Sequence, residues 1–314
     1  MKETVYKCRI ITPMFMYGEQ NVEKERPRII AVPELRTASI KGVMRYVWRA
    51  AQAATDCEEM SKREGVLFGA VQPKACQSGL RLQITEDRRQ TGRAPLLPHR
   101  SGTQTLKTAF IENNTSFSVI IRSFGKHQDN HETYEAVWEM TSLLAGFGGR
   151  SRRGAGAVRL LEKNQEVIPP MASESDVLDT VLLLLNKISP NKYERDGVNV
   201  RLTNSSNRAA DYPYIKKIAV SGALSNAGEL RKQINQFSSD YAGTLTGGID
   251  VSAGRVNYKR YASPIIVSVV EISDGYHAIL THLNEASAIW RSSDQSVKNI
   301  QTEFIKNVLE IGRG

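Results

Sequence analysis

The sequence predicts an α+β protein made of two ferredoxin-like βαββαβ units, the second degenerate. Three observations carry this. In the first half, segments of period two and segments of helical spacing follow the order strand, helix, strand, strand, helix, strand. Near the middle, "EVIPPMASES" (166–175) breaks the pattern with paired prolines and small polar residues. The second half then repeats parts of the same order. The expected division is 1–165 and 166–314.

The elements of the first half follow from local pattern. "VYKCRII" (5–11) alternates Tyr6, Cys8 and Ile10 against Lys7 and Arg9, as a half-buried strand does. An irregular loop, 12–38, carries Pro13, Gly18, Pro27 and Pro33. A helix over 40–54 follows, with Ser39 placed as its N-cap. Strands are expected at "LRLQIT" (80–85) and "FSVIIRS" (117–123), joined by a long polar connection. "ETYEAVWEMTSLLAGF" (132–147) has helical spacing through Tyr134, Val137, Trp138 and Leu144, and "AVRLLE" (157–162) closes the unit. This is also the frame of the RNA-recognition motif, although its aromatic signatures are missing.

In the second half, a helix is expected over 176–188, a strand at "YIKKIAV" (214–220) and a helix at "NAGELRKQINQF" (226–237). The plainest hairpin is "PIIVSVVEISDGYHAILTHL" (264–283), whose Asp274-Gly275 step suits a tight turn. Val297, Ile300, Phe304, Ile305 and Val308 then mark a closing helix.

The chain has 314 residues, 40% hydrophobic and 24% charged, as an ordinary globular protein does. No apolar run approaches a membrane span, and "MKETVYKCRII" carries charge where a signal peptide needs an apolar core. Three cysteines without a CxxC pair fit free thiols in a reducing cytoplasm. Net charge is +9, and residues 1–165 hold all of the surplus, because 166–314 are balanced. Such asymmetry favours a polyanionic partner, of which nucleic acid is the commonest.

Two stretches concentrate the cations. In "SIKGVMRYVWRA" (39–50), Lys41, Arg45 and Arg49 recur every fourth residue, along one edge of the expected helix. No acid lies between Glu34 and Asp56, so no i,i+4 partner neutralises them, and a phosphate chain would relieve their repulsion. Gly42 weakens that helix by about 1 kcal/mol against Ala, which close approach of another backbone would justify. The second stretch is "GFGGRSRRGAGAV" (146–158). Its Gly146, Gly148, Gly149 and Gly154 expose backbone amides, and Arg150, Arg152 and Arg153 add guanidinium forks suited to phosphate. It is neither a nucleotide-triphosphate loop, lacking the Lys-Ser/Thr step, nor a dinucleotide fingerprint, since it enters a strand.

Together these motifs resemble the RAMP superfamily, and within it the first backbone subunit of the Cmr complex, a type III-B CRISPR RNA-guided effector. The resemblance rests on Thr12-Pro13, Glu34-Leu35-Arg36, Ser39-Ile40-Lys41-Gly42, Arg45, Trp48, Arg49 and Phe68-Gly69, with the 146–158 glycine loop and "RYASP" (260–264). Tyr46-Val47-Trp48 departs from it, because the family more often has consecutive aromatics there. The resemblance implies two RAMP domains near one end of a helical ribonucleoprotein in antiviral defence. It implies contact with single-stranded guide RNA in its 3′ region, or with target RNA paired there. Other RAMP backbone subunits would be neighbours, and no nuclease activity is implied.

On this reading Arg36, His99 and Arg100 join the ladder and the loop as RNA contacts. No cofactor or metal is expected, because the five histidines form no ligand set. A rival reading is a metal-independent guide-RNA endoribonuclease, with His99 beside Arg100, or Tyr17 with Lys41, serving acid–base chemistry. A third is a protein-bridging scaffold whose charge binds acidic neighbours.

Overall fold

The computed structural model describes residues 1–18, 32–54, 56–71, 75–86, 88–99, 107–203, 212–240, 249–250, 257–258, 263–284 and 295–313. The first half runs β1 (Lys2–Ile10), α1 (Thr37–Gln52), α2 (Cys57–Phe68), β2 (Leu80–Glu86), β3 (Thr91–Pro95), β4 (Lys107–Ile111), β5 (Ser116–Ser123), α3 (His131–Leu144), β6 (Val158–Lys163) and β7 (Glu166–Val167). The second runs α4 (Glu174–Ile188), β8 (Tyr193–Asp196), β9 (Asn199–Leu202), β10 (Ile215–Val220), α5 (Ala227–Asp240), β11 (Ile249–Asp250), β12 (Asn257–Tyr258), β13 (Ile265–Ile272), β14 (Gly275–Leu283) and α6 (Gln295–Glu310).

The first sheet has the order β2-β5-β1-β6-β7, all neighbours antiparallel. Apart from the short β7, this is the strand order of a split βαβ unit. Tyr6, Cys8 and Ile10 point inward from β1, as their alternation predicts. They meet α1 and α3, where Trp138 stacks on Phe147 with ring centroids 5.9 Å apart.

Helix α1 starts earlier than expected, and Ser39 is not its cap. Arg36 holds the N-cap position in extended conformation with no side-chain cap. Glu34 N donates to Met16 O at 2.9 Å, and the Arg36 amide donates to the Met16 sulfur. This tie holds the incoming chain extended, so the helix begins directly after it. Two features lay inside the polar connections. Helix α2 is capped by Asp56, which accepts from Glu58 N and Glu59 N, and β3 pairs with β4 as a separate hairpin.

The second sheet has the order β13-β14-β10-β9-β8. It repeats the first order with one change. Beside the first strand of the unit, β10, lies β9, which comes from upstream in the chain instead of downstream. The hairpin β13–β14 explains why its sequence reads as a near-continuous apolar run. Ile266, Val270 and Ile272 face one core, with Trp48, Trp138 and Leu184. Ile265, Val267 and Val269 face a second core, with Leu230, Ile234, Phe304 and Val308 of α5 and α6. A sheet covered on both faces needs apolar residues at odd and even positions alike. The larger core draws on both halves of the chain, so the helices α1, α3 and α4 pack between the two sheets.

Candidate nucleic-acid interface

The glycine loop is a packed junction. Phe147 N donates to Gly156 O at 2.9 Å, Gly149 N to Phe15 O at 2.7 Å, Gly156 N to Pro13 O at 3.0 Å and Gly154 N to Val267 O at 2.8 Å. Val267 N returns a bond to Arg152 O at 3.1 Å. The loop thus joins the 12–16 segment of the first half to β13 of the second. Its glycines permit that approach: a Cβ on Gly146 would lie 2.0 Å from Ala155 O, and one on Gly148 (φ +86°) 2.4 Å from Phe15 O. The expectation of bare amides is therefore corrected at Gly149 and Gly154, whose N–H groups are engaged within the chain.

The three arginines of the loop divide. Arg153 is 4% exposed. It donates to Ser238 Oγ at 2.9 Å and to the carbonyls of Ile265 at 2.8 Å and Arg152 at 2.7 Å, and lies over the Phe304 ring. Burial, then the charges of Arg150 and Arg152, lower its pKa to about 9, so it stays charged at neutral pH. The expected outward fork is here an internal staple between the halves. Arg152 is half-buried. It lies over the Tyr46 ring of α1 at 5.2 Å from the centroid and donates to the Tyr46 hydroxyl at 3.1 Å and to Ser263 O at 2.5 Å. Arg150, at φ +60°, reaches Asn235 of α5 at 3.5 Å.

The ladder on α1 is not unpaired. Glu64 of α2, 2% exposed, accepts from Arg45 Nε, and from Arg49 Nε and Nη2 at 2.7 and 2.5 Å. Burial pushes the Glu64 carboxyl up, but the hydrogen bonds and charges of Arg49 and Arg45 outweigh it and hold it below its usual range. Two guanidiniums share one carboxylate, which leaves one net positive charge and the solvent edges of both arginines. Lys41 turns inward, donating to Ser78 Oγ at 2.6 Å and Leu80 O at 3.2 Å, and burial, with Arg45, lowers its pKa.

The weaker candidates separate. Arg36 is exposed, pairs with Glu34 at 3.2 Å and donates to Tyr17 O at 3.3 Å. The Tyr17 hydroxyl donates to Ala109 O and Lys41 to Ser78 and Leu80, so the two groups named by the rival endoribonuclease reading have separate partners. His99 lies in the turn after Leu96, whose side chain approaches Gly149 and whose carbonyl accepts from Arg231 of α5 at 3.1 Å. Arg100 lies outside the described residues, as do residues 260–262 of "RYASP".

The two sequence motifs nevertheless face each other. A cleft of about 230 Å³ opens between Ser39, Gly42, Val43 and Tyr46 of α1 and the loop residues Gly146, Ser151 and Arg152. A Cβ on Gly42 would meet nothing within 4 Å. The residue that weakens the helix therefore borders open space beside a guanidinium stacked on an aromatic ring. Among the described residues, no carboxylate lines the cleft. Among the described residues, no group of three or more His, Cys, Asp or Glu side chains is gathered for a metal, and no helix is long and apolar enough to cross a membrane.

Residues 7–159, which supply α1, the loop, β2, β5 and part of β1, match the model of the RAMP superfamily. That match covers just under half of the chain. The chain is 24% identical over 223 residues to the CRISPR system Cmr subunit Cmr1-1 of Pyrococcus furiosus, an alignment covering 67% of this chain and 65% of that protein. The chain thus spans just under two thirds of that relative. It is 26% identical over 191 residues to Cmr1-2 of the same organism, covering 51% of this chain and 96% of the relative. The fold of Cmr1 from Pyrococcus furiosus in its apo crystal form superposes with a TM-score of 0.59 at 20% identity, over 98% of this chain and 97% of that one. A chain of type III-B Cmr-beta bound to cognate target RNA superposes at 0.56 and 11% identity, over 98% and 99%. These superpositions show that the chain shares its fold with them.

Sequence reasoning missed Glu64, Ser78 and Tyr46 as neighbours of the cationic residues. The one available signal was Asp56 followed by Glu58 and Glu59, the cap and acidic first turn of a second helix.

Proposed function

We propose that this chain is a non-catalytic, RNA-contacting subunit of a type III-B CRISPR effector complex, acting in antiviral defence in the cytoplasm. The relatives named Cmr1 support the assignment to that complex. The observation that carries RNA contact is the open cleft between α1 and the glycine loop. In this reading the backbone of single-stranded RNA, the 3′ region of the guide or target paired with it, lies along Gly42. Arg152 contacts a phosphate, and Arg45 and Arg49 add their solvent edges. Arg36, Arg150 and His99 border the track, and Gly146 shapes its wall, while Gly148, Gly149 and Gly154 build the junction that supports it. Lys41 and Arg153 are taken by the protein itself and leave the list. Such contacts position RNA without reading its sequence, which base pairing reads instead.

The modules 1–165 and 166–314 act as one body in this account, because they share a core. Other RAMP backbone subunits are its neighbours. Three free cysteines fit a reducing compartment.

Affinity of the full chain for single-stranded RNA as a function of salt tests this. The log–log slope is about −0.7 per phosphate neutralised, and Arg152→Ala flattens it by one such step. Gly42→Trp fills the cleft and weakens binding. Unchanged affinity in Gly42→Trp would overturn the placement. RNA cleavage in EDTA, lost in His99→Ala, would replace this reading with that of a metal-independent endoribonuclease.

A further inference from the structure

The first module does hold unpaired cations, but not on α1. At the open edge of the first sheet, β2 and the 3-10 turn Gly125–Asn130 border a pocket of about 650 Å³. Arg81, Lys126 and His127 line it, and among the described residues no carboxylate does. Arg81 and Lys126 are exposed and make no ion pair among the described residues.

Arg81 also stands directly opposite Arg122 in the β2–β5 ladder. Like charges in that position destabilise a sheet. Arg122 is answered by Glu3 and by Gln83 at 2.6 Å, whereas Arg81 has no such answer. An anion in the pocket would supply one. At the rim, Phe124 is 40% exposed. An aromatic platform beside backbone-neutralising cations is the combination that single-stranded nucleic-acid sites use. Gly79 keeps the floor bare, because a Cβ there would lie 2.5 Å from the His127 ring. An acidic peptide would satisfy the cations but offers Phe124 no flat π-face.

We propose that this pocket binds one nucleotide of a single-stranded RNA, with its base stacked on Phe124 and a phosphate between Arg81 and Lys126. The site is separate from the cleft. The cleft uses Ser39, Gly42 and Tyr46 of α1, while the pocket shares Ser78 and Leu80 with Lys41 on another edge of the same helix. It therefore gives the chain a second hold on the strand, and it rests on the reading that the chain binds RNA.

Fluorescence anisotropy of the full chain with a labelled oligouridylate tests it. Phe124→Ala weakens binding about tenfold, as loss of one stacked base does, and Phe124→Trp restores it. Arg81→Ala with Lys126→Ala flattens the salt slope by about 0.7. Wild-type affinity and slope in both variants, with Gly42→Trp still impaired, overturns the pocket and leaves the cleft standing. Absence of binding by the unmodified chain at low salt overturns both. Displacement of the oligouridylate by oligoglutamate at lower concentrations than by unlabelled RNA assigns the pocket to a protein partner instead.

Discussion

Glu64 grips one edge of the Arg49 guanidinium, its two oxygens accepting from Nε at 2.7 Å and Nη2 at 2.5 Å. The carboxylate is buried and the arginine is partly exposed, so Glu64 depends on the pair more than Arg49 does. Glu64→Gln removes the charge and keeps the shape. Because one partner is solvent-screened, the cost is about 1–2 kcal/mol, between the surface and buried extremes. Chemical denaturation at neutral pH reads it.

The same pair sets a pH dependence. The folded-state pKa of Glu64 is depressed, so its contribution is complete above the unfolded value, about 4.3. It falls away as pH drops through the folded value, where the unfolded chain binds the extra proton first. The stability gap between wild type and Glu64→Gln therefore closes on acidification below that point. Denaturation midpoints of both proteins across this range check the sign.

Much of the frame was legible because its signals are local. The period-two alternation of Tyr6, Cys8 and Ile10 fixes the inward face of β1, and Asp274-Gly275 marks the β13–β14 turn. Glu64 was not legible. A search for i,i+4 partners stops within one helix, whereas Glu64 reaches Arg49 from the next one. The glycine loop misled for a different reason. Glycine with arginine is the composition both of an anion clamp and of a junction where backbones touch. Only the partners of Gly149 N and Gly154 N distinguish the two.

Arg153 separates staple from phosphate contact. Arg153→Ala takes the guanidinium donor from Ser238 Oγ and from the Ile265 carbonyl, which keeps only the longer bond from Ser263 Oγ at 3.2 Å among the side-chain donors of the described residues. The expected loss is about 2–4 kcal/mol, from unsatisfied buried groups and lost packing. Under conditions where the variant is folded, its RNA salt slope matches wild type. Denaturation and anisotropy on one preparation measure both.

Gly42→Ala meets no atom, so only helix propensity changes. Stability rises by about 1 kcal/mol, and a higher melting temperature reads it. A drop would show that the helix needs a glycine there for its own packing.

The shared core predicts that residues 1–165 do not fold cooperatively alone. Helices α1 and α3 would lose their cover from Val177, Leu184, Ile266 and Val270. Each fully buried side chain of that kind contributes about 1.5–3 kcal/mol, so four contribute about 6–12 kcal/mol, comparable to the whole stability of a domain at about 5–15 kcal/mol. A broad, dye-binding thermal transition of the fragment is the expected result.

Photocrosslinking of bound single-stranded RNA to the full chain, with identification of the modified peptides, tests the central claim most directly. Adducts on peptides containing residues 39–49 and 146–152 are the predicted result. Adducts confined to the second sheet, or to the α5–α6 face, would contradict it.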